Sequence, residues 1–251
     1  MSIHLLFIWF SRFFFIFLLK NRKMNICGIS DMHGYLDFDI TPCDIVIICG
    51  DICPLNIQSW SKPCKRWLRG TFIPWCTNLP CDKVIFIGGN HDFFLERHQP
   101  KVKELLEGQD KIVYLNCDVY EYKGKKIFGT PWCKPFGNWA FMTSYDEQDK
   151  IYEKVLKDIG DIDIIISHDA PYGTSDILLQ KDCSWATGSH IGNKSLRKLI
   201  ETLKPQINLH GHLHSTNHEK EMLDSTEVYN VSLLNENYQM VYKPLYLKIN
   251  D

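Results

Sequence analysis

Asn90, His91 and Asp92 set an amide oxygen, an imidazole and a carboxylate on three successive positions, directly after Gly88-Gly89. The residues before them, Val84-Ile85-Phe86-Ile87, form an unbroken apolar run. Such a run reads as a strand buried on both faces, and the glycines let the chain turn sharply and approach a neighbour closely. Packing has no use for three polar, ligand-capable side chains at the mouth of a buried strand. Metal and phosphate chemistry does.

The arrangement recurs along the chain. Residues 25–29 end in Ser30-Asp31-Met32-His33-Gly34 and residues 44–49 in Gly50-Asp51. Residues 162–166 end in Ser167-His168-Asp169, and residues 207–209 in His210-Gly211-His212-Leu213-His214. In open α/β sheets the carboxyl ends of strands converge on one crevice. Five such ends offer seven oxygen or nitrogen ligands (Asp31, His33, Asp51, Asn90, His168, His212, His214) and one spare imidazole, His91. One ion takes three or four protein ligands, so seven point to two ions sharing one of them. Asp31 and His33 are two apart, a spacing that on extended backbone turns both side chains to one face. His212 and His214 repeat it. Asp51, the lone carboxylate at its strand end, is the natural shared ligand. Phosphoryl transfer suits such a pair, because two cations about 3.5–4 Å apart clamp the ester and lower the pKa of a shared water.

The intervening segments must position these residues. Trp60, Cys64, Trp67 and Leu68 share one face of a helix whose Lys62, Lys65, Arg66 and Arg69 read as its solvated side. A helix over 101–107 buries Val102, Leu105 and Leu106. Short strands follow at 112–115, 119–122 and 125–128, with Lys123-Gly124 as a tight turn. Ser144 and Glu147 form a capping box before a buried stripe of Ile151, Tyr152, Val155, Leu156 and Ile159, which Gly160 stops. Leu196, Leu199, Ile200 and Leu203 mark another helix, halted by Pro205, and residues 228–249 read as two or three closing strands. No repeat, low-complexity tract or linker divides residues 24–251, which read as one α/β domain.

At 251 residues and 45% apolar content the chain can bury a sizeable core. Its formal charge of -2 and lack of a basic tail speak against duplex nucleic acid as a partner. Small anionic substrates stay open, since bound metals supply positive charge. The ten cysteines include no Cys-x-x-Cys pair, and Cys27 and Cys49 lie in apparent buried strands. They read as core thiols of a reduced, cytoplasmic protein rather than as disulfides or a zinc-thiolate site. Cys49 and Cys53 flank Asp51, which leaves oxidative sensitivity open.

Residues 1–23 do not match the rest. The apolar stretch 5–19 carries Ser11 and Arg12 at its centre. A spanning helix needs about 20 apolar residues, and a central Arg costs roughly 2.5–3.5 kcal/mol on insertion scales. The first reading is an extension upstream of a true start at Met24, and the second a weak membrane anchor with the body on the cytoplasmic side. A cleaved signal comes third, lacking a basic start and a small-residue cleavage site.

Five blocks, Asp31-Met32-His33, Gly50-Asp51, Gly89-Asn90-His91-Asp92, Ser167-His168 and Gly211-His212-Leu213-His214, together resemble the calcineurin-like metallophosphoesterases in order and span. The resemblance implies a two-sheet β-sandwich flanked by helices (α/β, or α+β in some schemes), with a dinuclear metal site at the carboxyl ends of its strands. By resemblance, one metal is held by Asp31, His33, Asp51 and His214, and the other by Asp51, Asn90, His168 and His212. His91 then sits beside the substrate phosphate, stabilising charge or protonating the leaving oxygen, while a hydroxide bridging the metals attacks phosphorus. Imidazole and carboxylate suit manganese, iron, zinc, cobalt or nickel, and the absence of thiolate argues only against a purely soft site. Family grounds favour manganese or iron.

A narrower resemblance lies in Gly129-Thr130-Pro131-Trp132, followed by Pro135-Phe136 and Trp139-Ala140-Phe141. It is similar to compact single-domain metallophosphoesterases of the cyclic-nucleotide phosphodiesterase type, as is His168-Asp169-Ala170-Pro171-Tyr172-Gly173, with Asp169 where that branch has a small residue. Small or cyclic-nucleotide-like diesters are therefore the favoured substrates. A phosphomonoesterase or protein phosphatase, or a nuclease, is the alternative. A non-catalytic scaffold comes last, because no ligand position is lost. Trp132, Phe136 and Trp139 could stack a base, worth about 1–3 kcal/mol, or serve the core, as Phe141 does. Asp92 could orient His91 or cap the next helix, and Asp169 could hydrogen-bond a ligand. His210 reads as structural and His190 as a loop residue, while His98 and His218 carry no argument. Ser184 and Trp185 fall in a loop that could border the cleft.

Overall fold

Isoleucine and valine dominate the central strands because both faces of each sheet are covered. The computed structural model of the protein describes residues 23–179 and 187–249. Residues 1–22, Cys183, Ser184 and Trp185 lie outside them.

In the first sheet, β1 (Met24–Ile29), β2 (Cys43–Ile48), β3 (Cys81–Phe86) and β4 (Ile112–Tyr114) run parallel. The second sheet holds β5 (Asp118–Tyr122), β6 (Lys125–Thr130), β7 (Ile164–Ser167), β8 (Ile207–His210), β9 (Glu221–Leu223) and β10 (Thr226–Asn230). β11 (Leu245–Ile249) returns to the first sheet, antiparallel to β1. The orders are β11-β1-β2-β3-β4 and β5-β6-β7-β8-β10-β9, with β6, β7, β8 and β10 parallel and the outer two antiparallel.

Side chains alternate across each strand. Ile26, Ile45, Ile47 and Ile85 meet Ile127, Ile164, Ile166 and Leu209 between the sheets. On the outer face of the first sheet, Cys27, Ile29, Val46, Ile48 and Phe86 lie under α1 (Ser61–Trp67), α2 (Ile73–Asn78), α3 (Phe93–Arg97) and α4 (Gln99–Leu106). On the outer face of the second, Phe128, Ile165 and Val228 lie under α5 (Tyr145–Ile159) and α6 (Lys194–Leu203). The layering is the expected α/β one: two mixed sheets flanked by helices.

Local signals hold at several places. The Ser144 hydroxyl accepts the Glu147 N–H at 3.3 Å at the start of α5, and Lys123 and Gly124 both have positive φ in the β5–β6 turn. The helix expected from Trp60 is different. It breaks into α1, a π-helical turn at Leu68–Phe72 and α2, and Trp60 sits 68% exposed before its first turn. Cys64 and Leu68 alone of that face are buried, so Trp60 marks the entry of the helix rather than its packed side. Among the described residues no helix is long and apolar enough to cross a membrane.

The two sheets are joined at their carboxyl ends. Ser30 and Ser232 form a bridge there, and Leu233 donates its N–H to the Ser30 carbonyl at 3.0 Å.

Candidate metal centre

The parallel strands stop at one level and hand their loops to one another. Asp31 N–H donates to Gly50 O at 3.1 Å, His33 N–H to Asp51 O at 2.9 Å and Gly211 N–H to His168 O at 3.1 Å. Backbone bonds between successive loops thus fix where each functional side chain leaves the sheet. Asp31, His33, Asp51 and His212 all adopt positive φ, between 44° and 68°. The extended backbone expected for Asp31 and His33 is therefore not present; a left-handed turn aims the two side chains instead. His212 and His214 likewise do not share a face, because His212 turns to His168 and His214 to Asp31 and His33.

In each of three groups the donor atoms lie within 4.8 Å of one another: Asp31, His33 and His214; Asp31, Asp51 and His168; Cys133, His168 and His212. Asp51 Oδ2 stands 3.4 Å from His168 Nε2, 3.8 Å from His33 Nε2 and 3.9 Å from His91 Nε2. Asn90 Oδ1 lies 2.9 Å from His168 Nε2. The structure so brings together all seven oxygen and nitrogen candidates, with His91 beside them. Gly89 explains the closeness, since a Cβ there would meet Asp51 N and His168 Cε1 at 2.6 Å.

The far side of each ring is anchored. His168 Nδ1 lies 2.7 Å from Cys49 O and His214 Nδ1 lies 3.0 Å from Asn235 O, which orients both Nε2 atoms toward the carboxylates. Asp31 accepts the His212 N–H at 3.0 Å and the Ser232 hydroxyl at 2.7 Å. His91 donates its backbone N–H to Asp51 Oδ1 at 2.7 Å, and its Nδ1 meets Gln58 Oε1. Both ring nitrogens of His33 are buried without a hydrogen-bond partner.

The charges are tightly linked. Burial pushes the Asp51 carboxyl up, yet His168, His91 and His33 outweigh it and hold Asp51 well below the usual carboxylate range. Burial pulls His33 down to about 4 against the attraction of Asp51 and Asp31. For His168 and His214 burial is overcome by Asp51 and Asp31 respectively, which raise them to about 10 and about 9. Orphaned imidazole nitrogens, opposed carboxylates and an amide oxygen on buried residues form a donor set that fits divalent metal ions.

The remaining candidates separate clearly. The Asp92 carboxylate accepts N–H groups from Ile52, Cys53 and Gly89 at 3.2, 2.9 and 2.9 Å. It makes no side-chain cap on α3 and does not touch the His91 ring, so it ties the Asp51 loop to the Gly89 loop instead of doing either expected job. The Asp169 carboxylate accepts the N–H of Lys134 at 2.9 Å and of Ala170 at 3.0 Å, holding the 133–134 backbone rather than a ligand ring. Trp132 packs edge-on to Phe141, which is itself core. Of the three candidate aromatics, Phe136 and Trp139 reach the centre, 5.2 Å from His212 and 4.6 Å from His91 between ring centroids. His210 is fully buried, His190 pairs with Asp176 at 2.6 Å, His98 meets Ser61 at 2.9 Å and His218 stacks on Tyr242.

Sequence reading alone missed Gln58, Cys133, Ser232 and Tyr238, whose ring meets His33 at 5.0 Å. None belongs to a spaced motif, and each reaches the centre from a loop. The nine described cysteines are free, and the Cys53 and Cys64 sulfurs approach to 2.9 Å.

Residues 24–216 match the family model described as calcineurin-like phosphoesterase. The human protein named metallophosphoesterase domain-containing protein 1 is 25% identical over 244 residues, which cover 88% of this chain and 69% of the relative. An uncharacterized protein of Methanocaldococcus jannaschii is 30% identical over 208 residues, covering 78% of this chain and 82% of the relative. The crystal structure of a Thermus thermophilus protein, TT1561, superposes with a TM-score of 0.57 at 14% identity, covering 83% of this chain and 89% of that one, which shows the shared fold.

Proposed function

The chain belongs to the calcineurin-like phosphoesterase family, and on that premise we propose that it hydrolyses small or cyclic-nucleotide-like phosphodiesters at a pair of divalent metals. Asp31, His33, Asp51 and His214 would hold one metal, and Asp51, Asn90, His168 and His212 the other. The observation that carries this reading is the place of Asp51 Oδ2, which faces His33 Nε2 at 3.8 Å and His168 Nε2 at 3.4 Å. One carboxylate thus addresses both donor groups. When bound, two divalent metals supply Lewis acidity and acidify water.

The protein's own residues divide the rest of the work. Gln58 fixes His91 Nδ1 and Trp139 packs on the ring, leaving Nε2 directed at the centre. Nε2 is the atom that passes a proton to the leaving oxygen. Phe136 and Trp139 remain 49% and 38% exposed beside the imidazoles, which supports a substrate with a planar group beyond its phosphate. Trp132 is not part of that surface. Manganese or iron goes with this reading, with zinc, cobalt and nickel compatible, as does a small soluble substrate rather than a duplex nucleic acid. A reducing, cytoplasmic location also goes with it, supported by the nine free cysteines.

The test is manganese-dependent turnover of bis-p-nitrophenyl phosphate against p-nitrophenyl phosphate by the full chain. Diester preference is expected. A monoester preference would move the protein to the phosphomonoesterase and protein phosphatase alternative and remove the substrate role of Trp139.

A further inference from the structure

Cys133 stands out among the thiols by what it faces. It follows β6 in the segment Pro131-Trp132-Cys133 and is fully buried. Its Sγ lies with the ligand nitrogens of His168 and His212, all within 4.8 Å of one another. The sulfur has only a long contact to the Pro131 carbonyl at 3.8 Å. Independently of the thiol, the ring nitrogens of His212 make no hydrogen bond among the described residues, and its ring centroid lies 5.1 Å from that of His168. An imidazole without a partner and a thiol with one long contact therefore meet at the position that His168 completes. The backbone there is fixed from both sides. Cys133 N–H donates to Phe141 O at 2.8 Å, its carbonyl accepts from Gln148 Nε2 at 2.7 Å, and Asp169 holds the next N–H.

We propose that Cys133 is a thiolate donor to the metal position built by His168 and His212. On coordination the S–H bond gives its proton to solvent and a sulfur–metal bond forms, with no change of oxidation state. The consequence is asymmetry. The group of Asp31, His33 and His214 offers only oxygen and nitrogen, whereas a sulfur donor on the other side selects a thiophilic ion such as zinc over manganese. This inference rests on the metallophosphoesterase reading of the same site and adds a ligand to it.

Cobalt(II) titration of the metal-free full chain tests it, with bound cobalt counted by elemental analysis and the near-ultraviolet thiolate-to-cobalt charge-transfer band as readout. The expected result is two cobalt ions per chain and a band that Cys133→Ser abolishes while Cys53→Ser leaves it intact. Cys133→Ala repeats the measurement should the serine variant not fold. Two bound cobalt ions without the band, or a band that survives loss of Cys133, overturns the thiolate ligand and leaves the paired-metal reading standing. No bound cobalt at all overturns both.

Discussion

His33 buries both ring nitrogens without a partner, and Asp31, His33, Asp51 and His212 hold left-handed backbone that costs on the order of 1–3 kcal/mol each. Such costs persist where surrounding structure over-determines the geometry, and here loop-to-loop backbone bonds do so. The ligand candidates were legible because each follows an apolar run. Gln58 and Cys133 were not, since nothing in local spacing says which loop folds over the strand ends. For Trp132 and Trp139 the residue type was informative but the direction was not, because only tertiary packing decides which indole faces the core. At this scale His91→Ala is expected to keep its metals and lose about 10²–10⁴-fold in turnover, the usual contribution of a general acid. Metal content and kcat measured on the same preparation check it, and metal loss in that variant would contradict the role given to His91.

The strands were the most readable elements, because segments covered on both faces are written as continuous Ile and Val runs. Their ends moved by one to three residues, and the helix after Trp60 broke at a π-helical turn that apolar periodicity does not encode. Asp31 and His33 do face one group of donor atoms, but through left-handed rather than extended backbone. At the opposite end of the sheets, Lys123 in the β5–β6 turn pairs with Asp44 of β2 and lies 3.3 Å from Asp82 of β3. Burial tends to raise the Asp44 carboxyl, but Lys123 and the Asn25 N–H outweigh it and lower its pKa. A lowered folded value stabilises above the unfolded carboxylate pKa of about 3.9 and is lost as pH falls through the folded value. Asp44→Asn should therefore melt below wild type at neutral pH, by no more than about 1 kcal/mol for so exposed a pair. The gap should close as the pH is taken below about 4. Thermal melts across that range check it, and a gap that widens in acid would be the wrong sign.

For the whole molecule, sheet order is long-range information, and the sandwich was legible through the resemblance of its motif blocks rather than through periodicity. The core between the sheets shows why the site is rigid. Ile45, Ile47, Ile85, Ile127, Ile164 and Ile166 lock the two sheets face to face and so hold the strand ends at one level. Ile47→Ala should cost about 2–5 kcal/mol, seen in denaturant unfolding, whereas a cost under about 1 kcal/mol would mean the sheets are not so coupled. The central claim is that these sheets present one metal pair joined through Asp51, and metal content with diester turnover in wild type and Asp51→Asn tests it most directly. Two divalent metals per wild-type chain with turnover are predicted, and a variant that loses at least one metal and all turnover above background. A variant that keeps two metals and wild-type turnover would contradict it.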